Sequence, residues 1–237
     1  MEVKRIYVFS PGLRLWHWVN FLSILTLFIT GLYIGNPFFL GPTGYEATYA
    51  YDKGITMDFI RKVHFIAGYV FLSGFIFRVI IALFSKRDRI FIPPLWRRDY
   101  WRDYWIGLKE ITLKYALIMK DKEGSEYIRN AYARTVYPLV YLLFFFMIIT
   151  GFAMYGMSKP DGFWASLFGW VIWFLGGEFM AHMWHHWVAW IIIVFAILHV
   201  YFVIREEIIK RNGELASMFN GYKVFEKDPV DVEDIKG

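Results

Sequence analysis

Residues 180–204 read M-A-H-M-W-H-H-W-V-A-W-I-I-I-V-F-A-I-L-H-V-Y-F-V-I, an uncharged run that contains four of the chain's six histidines. At 1.5 Å per residue such a helix crosses the roughly 30 Å of a bilayer's hydrocarbon core. A histidine inside a membrane span needs a reason, because an unpaired polar group in hydrocarbon costs several kcal/mol. His185 and His199 are 14 residues apart. At about 100° per residue they return to within about 40° of one face, roughly 21 Å apart along the axis. The same arithmetic puts His182 about 100° and His186 about 140° away from His199. Two imidazoles on one face at nearly opposite depths is the arrangement of a helix that holds two haems.

Composition supports a membrane protein. Of 237 residues, 57% are apolar and 22% aromatic, well above a soluble domain. The chain has no cysteine, which removes disulfides, thiolate metal sites, iron–sulfur clusters and covalent haem attachment. A redox cofactor must then be bound non-covalently, with histidine and methionine as the available ligands. The net charge of +5 is better explained by orientation in a membrane than by nucleic acid, which is not expected as a partner. The N-terminal residues contain no apolar run fit for a cleavable signal, so the first span is expected to act as the targeting segment and remain.

Four uncharged or nearly uncharged stretches are long enough to cross: about 15–34, 63–85 (interrupted by Arg78), 135–158 and 179–204. Pro138 falls in the first turn of the third, where its missing N–H is harmless. A shorter run, 163–175, is rich in Trp and Phe and ends at Gly176-Gly177, which suits an interfacial or re-entrant helix. Lys and Arg fix the expected orientation. Segment 85–134 carries twelve, the N-terminal tail three and the C-terminal tail six, against three in 35–62 and one in 156–181. The positive-inside rule then places both termini, the segment 86–134 and the tail 205–237 in the cytoplasm, in a multi-pass protein of the inner membrane. Within 86–134, Trp101, Trp105, Leu108, Ile111, Tyr115 and Ile118 recur at helical spacing among charged residues, as in an amphipathic helix lying on lipid. The expected fold is a single all-α domain over 1–237, a transmembrane four-helix bundle with interfacial helices and two b haems inside it.

Depth pairs the histidines. His17 opens the first span on the inner side and His64 opens the second on the outer side, while the fourth span places His185 outer and His199 inner. The expected iron ligands are therefore His64 with His185 and His17 with His199. Two imidazoles leave iron no open position, which suits one-electron transfer. Gly68 follows His64 by one turn, and Gly31 and Gly151 lie near the outer ends of the first and third spans, where a missing side chain lets a porphyrin edge approach. Arg78, 14 residues after His64, falls near the same face at inner depth. A haem propionate is its expected partner, with snorkelling to the inner headgroups as the alternative. The first and third spans also close on an echo, L-F-I-T-G-L-Y-I-G at 27–35 and M-I-I-T-G-F-A-M-Y-G at 147–156.

Taken in order, R-L-W-H-W (14–18), E-A-T-Y (46–49), R-K-V-H-F-I-A-G (61–68), F-I-P-P-L-W-R (91–97), I-T-G-F-A-M-Y (149–155), W-H-H-W (184–187), H-V-Y-F-V-I-R-E-E (199–207) and N-G-Y-K (220–223) resemble the b-type cytochrome subunit of membrane-bound [NiFe] hydrogenases. The resemblance implies an electron-transfer subunit without hydrogenase chemistry of its own. Such a subunit anchors periplasm-facing small and large hydrogenase subunits, carries two non-covalent b haems, and passes electrons from H2 oxidation to menaquinone or ubiquinone. The family's ligand positions match His17, His64, His185 and His199. A dimer of the heterotrimers is the candidate assembly. Where relatives have His-Asn-Pro before the third span, this chain reads Arg129-Asn130-Ala131. Asn130 can hydrogen-bond a quinone carbonyl and Arg129 stays charged, so Asn130, Arg129 and His186 are the quinone candidates. The neighbouring alternatives are the cytochrome b of a formate dehydrogenase or thiosulfate reductase. More distant ones are a non-haem intramembrane metalloenzyme, which would lack the glutamate of H-E-x-x-H, and a proton-coupled transporter.

Overall fold

The computed structural model describes residues 4–35, 57–89 and 131–226, with positions 101, 105, 109, 128, 228, 229 and 232. The described chain is all-α apart from one short strand pair. Its elements are β1 (Lys4–Tyr7), α1 (Pro11–Gly35), α2 (Met57–Phe84), α3 (Lys86–Arg89), α4 (Ala131–Met157), α5 (Phe163–Phe174), α6 (Glu178–Lys210), α7 (Glu214–Asn220) and β2 (Tyr222–Phe225). Four of these, α1, α2, α4 and α6, are long and apolar enough to cross a membrane. Their outward residues include Leu22, Ile66, Leu142 and Ile197, all exposed. Apolar surface on this scale is stable against lipid and not against water.

The helices outrun the apolar segments that predict them. α2 begins at Met57 and α6 continues to Lys210, because backbone hydrogen bonding carries on through polar residues once the core turns are formed. α1 starts on a cap: the Ser10 hydroxyl accepts the Leu13 N–H at 3.1 Å, and Pro11 occupies the first helical position. Most of the amphipathic helix expected within 101–118 lies outside the described residues.

The chain divides into two compact units. One comprises residues 16–77 and 146–194. Here the Trp164 indole N–H donates to the Tyr69 hydroxyl at 2.7 Å and its ring stacks on Phe152 at 4.1 Å, which pins α5 to α2 and α4. Gly156 permits the approach, since a Cβ there would sit 2.6 Å from the Ala165 backbone nitrogen. The opposite face of α5 is open, with Trp173 83% exposed, as expected of an interfacial helix. The Gly177 N–H reaches back to the Ile172 carbonyl at 2.8 Å and, with positive φ at Gly176 and Gly177, closes α5 and turns the chain into α6.

The second unit comprises residues 1–15, 78–145 and 195–237. It contains a feature that the sequence reading did not anticipate, an antiparallel pairing of β1 with β2 in which Lys4 faces Phe225 and Tyr7 faces Tyr222. The Val8 and Phe9 N–H groups both donate to the Gly221 carbonyl, at 2.8 and 3.1 Å. Gly221 has φ 88°, and a Cβ on it would meet Tyr7 at 2.5 Å, so only glycine fits. Lys223 is buried and bonded to Glu214 at 2.6 Å, with the Phe9 ring 5.3 Å from its ammonium.

Removing one partner of a buried ion pair leaves the other charge uncompensated, at about 3–5 kcal/mol. Glu214→Ala is therefore expected to loosen the strand pair strongly, and Glu214→Gln combined with Lys223→Met to recover most of the loss. The rate of limited proteolysis of the C-terminal segment in detergent measures both.

Candidate functional site

Within the unit of residues 16–77 and 146–194, two histidines are held in matching cradles. His64 stands on α2, and its Nδ1 lies 2.8 Å from the Thr30 hydroxyl on α1. His185 stands on α6, and its Nδ1 lies 2.8 Å from the Thr150 hydroxyl on α4. The residue after each threonine is a glycine whose bare Cα faces the same ring. A Cβ at Gly31 would lie 3.4 Å from His64 Cε1, and one at Gly151 would lie 3.3 Å from His185 Cε1. Consecutive helical residues are about 100° apart, so Thr-Gly presents a hydroxyl and a gap side by side. The hydroxyl holds one edge of the imidazole and the gap admits another. Both threonines are buried, each bonded to the carbonyl four residues earlier.

The echo in the sequence thus has a structural meaning. Neither threonine was among the expected site residues, although the repeated pair was visible. Gly31 and Gly151 were expected to clear a porphyrin edge, and in the structure their bare faces meet the imidazoles. Gly68 faces open space instead, for a Cβ there would touch nothing within 4 Å.

His64 and His185 are both half-buried. With Nδ1 taken by a threonine, Nε2 is the ring position left for an axial bond. Among the described residues no group of three or more His, Asp or Glu converges as a bare-ion site. Two imidazoles whose Nδ1 atoms are held by threonines fit iron whose other four ligands come from a macrocycle.

The remaining site candidates are placed as follows. His186 packs on the end of α1, where a Cβ on Gly35 would lie 2.6 Å from its Cε1. His182 is exposed and 3.8 Å from Glu178. His17 meets the Trp18 ring edge-on at 5.2 Å. His199, in the other unit, stacks on Phe195 at 5.8 Å. Arg78 is 1% exposed, so its head is held inside the protein and does not snorkel. Its Nε donates to the Tyr141 hydroxyl and its Nη2 to the Asp88 carbonyl, both at 2.9 Å. Neither partner could be found from sequence, because both contacts depend on how α4 and α3 pack. Arg129 and Asn130 lie outside the described residues.

Membrane-length helices and two buried-threonine-anchored imidazoles are features that a membrane-embedded b-type cytochrome requires, and the family comparison gives that class. More narrowly, the chain belongs to the prokaryotic cytochrome b561 family, whose model matches residues 8–221. Relatives match over most of both chains. The chain is 37% identical over 229 residues to a probable Ni/Fe-hydrogenase B-type cytochrome subunit of Cupriavidus necator, covering 94% of this chain and 89% of that one. It is 33% identical over 223 residues to the corresponding probable Ni/Fe-hydrogenase 1 subunit of Escherichia coli K12, covering 92% and 90%. With a Rhodobacter capsulatus protein of the same description it shares 32% identity over 231 residues, covering 95% and 84%. The chain is a multi-pass membrane protein whose cofactor is haem b.

Gly68 offers a clean test of where that haem sits. A methyl group there meets no protein atom within 4 Å, so Gly68→Ala is expected to leave the apoprotein's folding unchanged. A lowered haem b content per chain, read as the pyridine haemochrome, would show that the cofactor fills the space. Gly169→Ala, equally unobstructed on α5, should leave the content as it was.

Proposed function

We propose that this protein is the di-haem membrane anchor of a [NiFe] hydrogenase, passing electrons from H2 oxidation to a membrane quinone. The observation that carries the reading is the paired cradle around His64 and His185, which makes both imidazoles fit as axial ligands of one haem. Bound haem supplies one-electron exchange at iron. His64 and His185 would hold the iron through their imidazoles, and two such ligands would leave no position on it for oxygen or substrate. The second haem is assigned to His17 and His199, on the depth pairing and helix-face arithmetic of the sequence. Arg78, near the same face of α2 as His64 but 14 residues on, is the candidate to neutralise a propionate of that inner haem. Quinone is assigned to the inner side, with Asn130 and Arg129 as binding candidates. If its protons come from the cytoplasm there, electron flow across the span is electrogenic. His186, next to His185 at outer depth, is a quinone candidate only for the outer side.

The hydrogenase partner rests on the relatives' names and on the motifs shared along the whole chain. The small and large subunits would dock from the periplasm. The charge asymmetry supports inner-membrane insertion with both termini cytoplasmic, twelve Lys and Arg in 85–134 standing against one in 156–181.

Two measurements test this. Reduced-minus-oxidised spectra and haem stoichiometry of the purified complex are expected to give two b haems per chain. His64→Ala and His185→Ala should each remove the same one, and His17→Ala and His199→Ala the other. An unchanged spectrum in these variants would end the assignment, and molybdenum or tungsten in the complex in place of nickel would move the partner to a formate dehydrogenase or thiosulfate reductase. Orientation is tested by single-cysteine labelling, which the cysteine-free chain makes direct. Lys159→Cys should react with an impermeant maleimide in spheroplasts, and Lys210→Cys only after lysis.

A further inference from the structure

Both threonines beside the candidate ligands have a hydroxyl proton that is already committed. Thr30 Oγ1 lies 2.6 Å from the Thr26 carbonyl oxygen, and Thr150 Oγ1 lies 2.7 Å from the Phe146 carbonyl oxygen. Two oxygens that close require a proton between them, and a carbonyl has none to give. The hydroxyl therefore donates to the carbonyl and turns a lone pair to the histidine. The 2.8 Å contacts to His64 Nδ1 and His185 Nδ1 can then be hydrogen bonds only if Nδ1 carries the proton.

We propose that Thr30 and Thr150 are positioning residues that hold His64 and His185 in the Nδ1-protonated tautomer, reserving both Nε2 lone pairs for the axial bonds of haem iron. This rests on the ligand assignment made above and adds the residues that set it. The consequence is electronic as well as geometric. An Nδ1–H donated to an oxygen acceptor makes the imidazole a stronger electron donor at Nε2, which favours the ferric state. The two threonines thus lower the potential of this haem, one from each face. Gly31 and Gly151 lie against the same rings, where a Cβ would come within 3.4 Å of His64 Cε1 and 3.3 Å of His185 Cε1. The two arrangements recur at nearly equal chain separation, 34 residues from Thr30 to His64 and 35 from Thr150 to His185.

The test is a redox titration of the intact complex carrying Thr30→Val, Thr150→Val, both together, and Thr30→Ser or Thr150→Ser, with haem content measured alongside. Valine keeps the shape and removes the acceptor, while serine keeps the acceptor. Each valine variant is expected to raise the midpoint potential of one b haem and leave the other unmoved. The double variant should raise it further, and the serine variants should match the wild type. If valine costs the haem, the alanine variants report the same potential with no added bulk. Full haem content with no shift in the valine or alanine variants would overturn the proposal while leaving the ligand assignment standing, provided His64→Ala and His185→Ala each still lose one haem. A serine variant that shifts as far as valine would also overturn it, because the hydroxyl would not be the cause. Retention of both haems in His64→Ala and His185→Ala would remove the ligand assignment and the proposal with it.

Discussion

A polar ring placed inside an apolar bundle has to find its hydrogen bond from the protein, since hydrocarbon offers none. The bonds between Thr30 and His64 and between Thr150 and His185 meet that demand, and much of the local architecture follows from them. Each threonine has the ring at its side, and the residue after it is a glycine that leaves the ring room. The threonine hydroxyl must in turn dispose of its own proton without leaving the helix, and the carbonyl one turn back accepts it. Helix register is thereby coupled to ligand placement. The Tyr69–Trp164 bond and the Phe152–Trp164 stack hold α2, α4 and α5 together in the same unit, which keeps the two cradles in fixed positions.

The other unit solves the problem of buried charge by local pairing. Arg78, in the middle of an apolar run, spends two of its donors on Tyr141 and the Asp88 carbonyl. The second of these bonds uses a backbone acceptor in the α3 turn just beyond the end of α2, and thereby ties that turn down. Lys223 is compensated by Glu214, and Lys210 by Glu206 at 2.8 Å. The buried groups Arg78, Lys223 and Glu206 each thus have a polar or charged partner within their own unit.

How much of this could be read from residues alone follows from what each feature depends on. The four spans and α5 were legible because length and apolarity are themselves the physical requirement for crossing or lying on a bilayer. Helix ends were less so, since α2 and α6 extend into polar sequence that carries no hydropathy signal. The strand pair went unseen because K-R-I-Y and Y-K-V-F are four residues each, too short to show a period, and their pairing joins opposite ends of the chain. Helical arithmetic singled out His185 together with His199, and membrane depth singled out His64; the structure places His64 and His185 in one unit and His199 in the other. The threonines beside His64 and His185 were visible only as a repeated dipeptide. The function of a hydroxyl depends on what stands opposite it, and α1 and α4 had to be packed against α2 and α6 before a partner existed.

The separation of the two cradles also bears on how the protein is made. The threonine that braces His64 comes from α1 and the one that braces His185 comes from α4, so each bond is internal to one half of the chain in order of synthesis. The first imidazole can be seated as soon as α1 and α2 are in the membrane, long before α6 leaves the ribosome. The second is seated by α4 and α6 in the same way. Neither half needs the other to seat its own imidazole, and the two halves meet through protein contacts, α2 against α4 and α5 at Tyr69, Phe152 and Trp164.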